Sequence, residues 1–338
     1  MNFADALEDI KKYGQLAHEK DQTTLKDVAI EEFKLADETM DLVAIDGSHS
    51  FILDLSGIKL AVIRVCALEY KFVVGTKTGF KLKKKPHIVE RPIVVSSHEE
   101  FVETQSELYK KVFEHARRSK LNTYSYIANE LRRFEEYKLL NQVSGNTSGQ
   151  LLALDGALTI PPPFLSEFSD MMENTIEKCK DHENILLGVS KDSETHAFGS
   201  PSTDEELLFK VKKQGHLYVK VNLEGSYIRY GDVYFAKLHP MAMKWFRIDI
   251  ETKEHPDRVF PILAHYARSE LCPGYIYPLL EAHRLAVMVR RLHDIYEKNI
   301  IALAPKYGIS LGDILRGRTD IEGSKMRMFH EFLDMVSK

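Results

Sequence analysis

Two stretches of the chain share one pattern. Leu42-Val43-Ala44-Ile45-Asp46-Gly47-Ser48 and Leu151-Leu152-Ala153-Leu154-Asp155-Gly156-Ala157 each run four apolar residues into a carboxylate and a glycine. An apolar run of that length reads as a strand covered on both faces. A carboxylate at the exit of such a strand needs a partner. Two in matching contexts suggest neighbouring strand tips sharing a hard divalent cation, which takes oxygen ligands and neutralises charge on a reacting phosphate. Asp-Gly is also a common turn signal, so either site alone reads as a turn.

The companions decide between the readings. A third carboxylate is expected from the helix between the two stretches, where Glu130, Glu135 and Glu136 are candidates. Glu136 borders the apolar stripe of Ile127, Leu131 and Phe134, but spacing alone leaves the three nearly equal. His283 lies between Leu280 and Leu285 on an apolar helix face. A histidine there is either a core residue or a metal ligand or proton shuttle. Just before it, Tyr275 offers a hydroxyl for a phosphate oxygen or a ring for a base. Lys191 ends the apolar run Asn184–Ser190, where it pairs with phosphate or the carboxylates, or caps the strand in solvent.

The elements that must position these groups follow from periodicity. Phe3–Lys20 reads as an amphipathic helix and Leu25–Met40 as a second helical or mixed stretch. Leu42–Asp46, Ser50–Leu55 and Lys59–Phe72 read as an antiparallel meander with turns at Gly47-Ser48 and Ser56-Gly57. Val73–Lys85 continues as a hairpin edge whose lysines, Lys83 and Lys84 among them, guard the edge or touch phosphate. Arg91–Ser96 is a further strand candidate. His98–Ser119 and Asn122–Val143 are expected as two helices, Leu151–Asp155 and Asn184–Ser190 as strands joined through a helix over Phe164–Lys178. The right-handed crossover rule puts that pair in one sheet. Pro161-Pro162-Pro163 forces an extended exit from the first of them. Leu207–Ile250 is strand-rich, with Trp245 expected to pack. Asp257–Ser269 reads as a helix, the stretch from Tyr277 to Asn299 as one long helix, and Ile300–Lys338 as a helical tail.

Composition sets limits on function. The chain has 338 residues and a formal net charge of −4, so no whole-protein basic field exists and a polyanion would need local patches such as Arg117 and Arg118. Its 3 cysteines are widely spaced and odd in number, which fits a reduced cytoplasm rather than a disulfide or zinc framework. No apolar run is long enough to span a bilayer, and the first residues have no signal-peptide pattern.

Five pieces in order resemble the NurA nuclease family: Ala44-Ile45-Asp46-Gly47-Ser48, Arg132-Arg133-Phe134-Glu135-Glu136, Leu152-Ala153-Leu154-Asp155-Gly156-Ala157-Leu158, Gly188-Val189-Ser190-Lys191, and Gly274-Tyr275-Ile276-Tyr277-Pro278-Leu279-Leu280-Glu281-Ala282-His283. Ile276 stands where the family has proline. The resemblance implies an α/β, RNase H-like mixed sheet flanked by helices, spanning residues 42–299 with a strand-rich insertion at about 192–250. Helical segments at 1–41 and 300–338 lie on either side. It implies a manganese-dependent deoxyribonuclease, magnesium being the alternative ion, with 5′-to-3′ exonuclease and single-strand endonuclease activity on single- and double-stranded DNA. It further implies a cytoplasmic homodimer working with the HerA hexameric ATPase in DNA end resection. Asp46, Glu136, Asp155 and His283 would then be metal ligands and Tyr275 an active-site support. Lys191 matches a family lysine and, with Lys83, Lys84, Arg117 and Arg118, is a candidate for touching DNA. A non-catalytic DNA-binding or adaptor subunit on the same fold is the main alternative, with no evident need for these acidic motifs. A phosphotransferase ranks last, for want of a Gly-rich phosphate loop.

Overall fold

The computed structural model of the protein describes residues 3–55, 57–73, 79–160, 165–223, 225 and 228–309. Its first part runs α1 (Phe3–Asp27), β1 (Glu31–Glu32), β2 (Leu42–Leu55), β3 (Ile58–Val73), β4 (Gly79–Leu82), β5 (His87–Ser96), α2 (Glu99–Glu103), α3 (Glu107–Arg118) and α4 (Thr123–Ser144). The middle holds β6 (Leu151–Asp155), β7 (Thr159–Ile160), α5 (Leu165–Asp181), β8 (Ile185–Ser190), α6 (Asp204–Phe209) and β9 (Leu217–Val221). Then come β10 (Ile228–Arg229), β11 (Asp232–Lys237), β12 (Phe246–Glu251), α7 (Pro256–Ala264), α8 (Tyr277–Arg291) and α9 (His293–Leu303). The main sheet is mixed, in the order β1-β9-β11-β12-β8-β6-β2-β3-β4, with β5 pairing β3. β7 and β10 form a separate ribbon.

The chain divides into two compact units. The first comprises Met1–Asp46, Ala67–Pro86 and Leu139–Ala282; the second comprises Gly47–Cys66, His87–Lys138 and the chain from His283 on. In the first unit β2, β6 and β8 are parallel neighbours, β6 lying between the other two. The connection from β6 to β8 runs through α5, the crossover that parallel pairing requires. Leu42–Ile45, Leu151–Leu154 and Leu186–Leu187 are buried, which explains runs that are apolar at every position instead of alternating. Antiparallel β12, β11 and β9 extend the sheet, and Trp245 packs with Leu208, Leu217 and Phe235. In the second unit, Ile52 and Val62 pack against Tyr296 and Ile300, while Leu53 packs against Ala304.

Four local expectations need correction. Gly47-Ser48 is not a turn, because β2 continues unbroken to Leu55. Leu25–Met40 holds no second helix: α1 extends to Asp27, and Glu31–Glu32 pairs at the sheet edge with β9. His98–Ser119 splits into α2 and α3. There the Thr104 hydroxyl donates back to the Phe101 carbonyl (2.7 Å) and Ser106 starts the next helix by accepting from the Tyr109 amide (3.3 Å). Short polar side chains compete with the helical ladder in this way. The long helix from Tyr277 ends at Arg291, and a new one starts at His293, whose Nε2 lies 3.2 Å from the Phe51 carbonyl. The expected Pro161–Pro163 exit, and the tail beyond Ile309, lie outside the described residues.

Candidate active site

The register of the parallel strands in the first unit assembles the site. Ala44 pairs with Ala153 and Ile45 with Leu154, so Asp46 and Asp155 come next, side by side. Asp155 is level with Val189 of β8, and Lys191 follows just past that strand's end. Three adjacent strands thus bring Asp46, Asp155 and Lys191 together where their parallel pairing ends, at the carboxyl ends of β6 and β8 and partway along β2, the usual place for a site in such a sheet. Asp46 and Asp155 present ligand oxygens within 4.8 Å of each other. Lys191 Nζ donates to Asp155 Oδ2 at 2.5 Å and lies 5.9 Å from the Tyr275 ring centroid. Tyr275, packed on Phe246 with ring centroids 5.2 Å apart, buries a hydroxyl that makes no hydrogen bond among the described residues.

Electrostatics follow from that crowding. Burial, then the charge of Asp46, pushes the Asp155 carboxyl up to about 6, against the pull of Lys191. Burial and the same two carboxylates push the Tyr275 phenol far above its ordinary range, so it stays a hydrogen-bond donor. Paired carboxylates, a cation already drawn to one of them, and an unsatisfied buried phenol fit a divalent ion with a phosphate oxygen beside it.

In the second unit, Gly47, the residue following Asp46, approaches the Glu136 side chain. A Cβ on Gly47 would lie 2.5 Å from Glu136 Oε1. Glu136 is 2% exposed. Its Oε1 accepts from Arg132 Nη1, which also donates to the Gly47 carbonyl (3.2 Å). The rival carboxylates are engaged elsewhere: Glu135 with Arg91 and with Lys138 (3.1 Å), Glu130 with Arg133 (2.9 Å). His283, half-buried on α8, is the first residue of its segment of this unit.

The other basic candidates are held by carboxylates. Lys83 and Lys84 lie 2.7 and 2.6 Å from Glu69. Arg117 and Arg118 lie 3.0 and 3.3 Å from Glu114. Sequence reasoning missed the role of Arg132, although Arg132 and Glu136 stand one helical turn apart. It also missed Arg247 and Asp249 on β12, a bidentate buried pair at 2.8 and 2.9 Å. Opposite charges two apart in an apolar strand share one face and were the available signal. Asp249 also accepts the Leu158 amide (2.9 Å), pinning the loop that leaves Asp155. Gly188 lets this loop lie on the sheet: a Cβ there would meet the Gly156 carbonyl at 2.7 Å and Leu158 Cγ at 2.8 Å.

Comparison with known proteins identifies chains that this one resembles. The NurA domain profile matches residues 40–288. No curated protein matches significantly. Among solved structures, the NurA nuclease from Sulfolobus solfataricus is similar at 14% identity and a TM-score of 0.54, covering 88% of this chain and 96% of that one. A second NurA structure aligns at 11% identity and a TM-score of 0.48, over 83% and 90% of the two chains. Endonuclease V from Ciona intestinalis, solved with an inosine-containing DNA, aligns at 13% identity and a TM-score of 0.38, over 85% and 99%. The fold is the RNase H-like mixed α/β sheet.

Proposed function

Since the chain belongs to the NurA family, we propose that it is a metal-dependent deoxyribonuclease that hydrolyses phosphodiester bonds. The observation that carries this reading is the Asp46–Asp155 pair where the parallel β2–β6 pairing ends, with oxygens within 4.8 Å and one carboxyl held near a pKa of about 6 by burial and the other's charge. By the family resemblance Asp46, Asp155, Glu136 and His283 would hold the ion, which would be Mn²⁺ or Mg²⁺. That ion, when bound, supplies charge neutralisation at the phosphate and acidifies an attacking water.

The chain's own groups do the remainder. Asp155, once deprotonated, would be one of the groups that hold the cation. Lys191 holds Asp155 in place and then pairs with the phosphate. Tyr275 donates its hydroxyl to a phosphate oxygen, since no group among the described residues receives it. Arg132 fixes Glu136, and His283 ligates the ion or carries a proton to the leaving oxygen. The finer assignment follows the family: 5′-to-3′ exonuclease and single-strand endonuclease activity, in a cytoplasmic homodimer acting with the HerA ATPase in DNA end resection. Lys191 is the favoured DNA contact; Lys83, Lys84, Arg117 and Arg118 would have to leave Glu69 and Glu114 to serve.

Digestion of 5′-labelled and 3′-labelled single-stranded oligonucleotides with Mn²⁺, Mg²⁺ or EDTA tests the proposal. Products that need the ion are expected, and the two labels read the polarity. Folded protein that leaves DNA intact with either ion, alone and with the ATPase partner, overturns it.

A further inference from the structure

A cavity of about 660 Å³ opens within the first unit, lined in part by Thr159, Thr195, His196, Asn222, Arg229 and Arg247. Its walls come from the segments that leave the catalytic strand ends. Thr159 lies on β7, shortly after Asp155, and Thr195 and His196 follow Lys191. Arg229 pairs across the β7–β10 ribbon with Thr159, and Arg247 on β12 is level with Ser190 on β8. The volume falls within the range of small-molecule sites, roughly 300–1,000 Å³.

Two arginines, two threonines, an asparagine and a histidine make its walls rich in donors, in a chain whose net charge is −4. Arg247 is built in rather than draped over the surface. It is 9% exposed, and Asp249 takes its Nε and Nη2 donors in two parallel bonds of 2.8 and 2.9 Å. A guanidinium carries five N–H donors, so three remain beyond those two bonds. Arg229 is anchored too, donating from Nη1 to the Leu223 carbonyl. His196 Nδ1 faces the carbonyls of Ser200 (3.4 Å) and Ser202 (3.1 Å), which assigns its proton to Nδ1 and orients the ring. Rigid arginines with hydroxyl and amide neighbours are the recognition chemistry of phosphate, which guanidinium binds in a fork geometry.

We propose that this cavity is a nucleotide subsite, holding the phosphate and sugar–base of a nucleotide next to the bond being cut. Arg247 and Arg229 bind the phosphate, Thr159 and Thr195 contact sugar or phosphate oxygens, and Asn222 and His196 meet the base edge. The assignment to DNA rests on the nuclease reading above; the phosphate-binding chemistry does not. Asp249 is a positioning residue, because it acts through Arg247.

The test is binding of thymidine 5′-monophosphate by calorimetry in EDTA, where no ion at the carboxylates can hold a phosphate. Thymidine, inorganic phosphate and a short oligothymidylate are the comparison ligands. Wild-type protein should bind the monophosphate, and thymidine at least tenfold more weakly. Arg229→Gln should weaken the monophosphate at least tenfold. Arg247→Lys should do the same, with a melting temperature close to wild type showing that it is folded. Oligothymidylate bound more tightly than the monophosphate, with the same loss in Arg229→Gln, identifies the occupant as part of a DNA strand; no gain over the monophosphate overturns that part of the assignment. Metal-dependent cleavage by a wild-type protein whose monophosphate binding is absent, or is untouched by both arginine variants, overturns the subsite and leaves the nuclease standing. Arginine-dependent binding by a protein that never cleaves upholds the phosphate pocket and overturns the nuclease.

Discussion

At the scale of single residues, the candidate site depends on carboxylates whose environments differ. Asp155 is held up to about 6 by burial and by Asp46, above the roughly 3.9 of an unfolded Asp. Between those values the folded state binds more protons than the unfolded one, so this group's contribution to stability falls as pH rises through that window. In EDTA at pH 7.5, Asp155→Asn should therefore stabilise the protein by about 1 kcal/mol after allowing for the lost Lys191 pair. The gain should vanish near pH 4, and thermal melts at the two pH values check it. The candidate glutamates also differ in their surroundings. Glu136→Gln should lower cleavage at least a hundredfold, whereas Glu135→Gln, which removes only contacts to Arg91 and Lys138, should change it less than threefold. Rates at saturating Mn²⁺ settle the ranking.

At the scale of elements, glycines hold the strands and loops in place by what they lack. Gly188→Ala would force a Cβ against the Gly156 carbonyl and Leu158. It should destabilise by about 1–3 kcal/mol, as overpacked positions do, and lower cleavage, both read on the same purified variant. Much of the core was legible, because Leu42–Ile45, Leu151–Leu154 and Ile185–Leu187 are apolar throughout, as buried parallel strands must be. Gly47 was misread as a turn, since a sequence does not distinguish a glycine that bends the chain from one that admits a neighbouring side chain. The breaks at Thr104–Ser106 and Leu292 were invisible because apolar spacing persists across them and the deciding interactions are a hydroxyl's choice of partner and a contact with Phe51. Arg247 and Asp249 went unread because an ion pair within one strand gains meaning only when the loop it pins is known.

At the scale of the whole molecule, charge and topology set how nucleic acid is held. The net charge of −4 leaves DNA binding to a few local cations, of which Lys191, Arg229 and Arg247 lie near or on the loops leaving β6 and β8. With about three phosphates neutralised, the slope of log affinity against log salt for single-stranded DNA should be near −2, using ~0.7 per phosphate. Fluorescence anisotropy between low and physiological salt measures it, and a slope steeper than about −5 would require a broad basic channel. Among the described residues no helix is long and apolar enough to cross a membrane. The central claim is that Asp46 and Asp155 together hold the ion that cuts DNA. Its most direct test is the cleavage rate of a labelled single-stranded oligonucleotide in Mn²⁺ by wild-type, Asp46→Ala and Asp155→Ala proteins, each verified as folded by its melting temperature. Metal-dependent products are expected from the wild type and none from either variant; cleavage near the wild-type rate by either folded variant would overturn the shared-ion assignment.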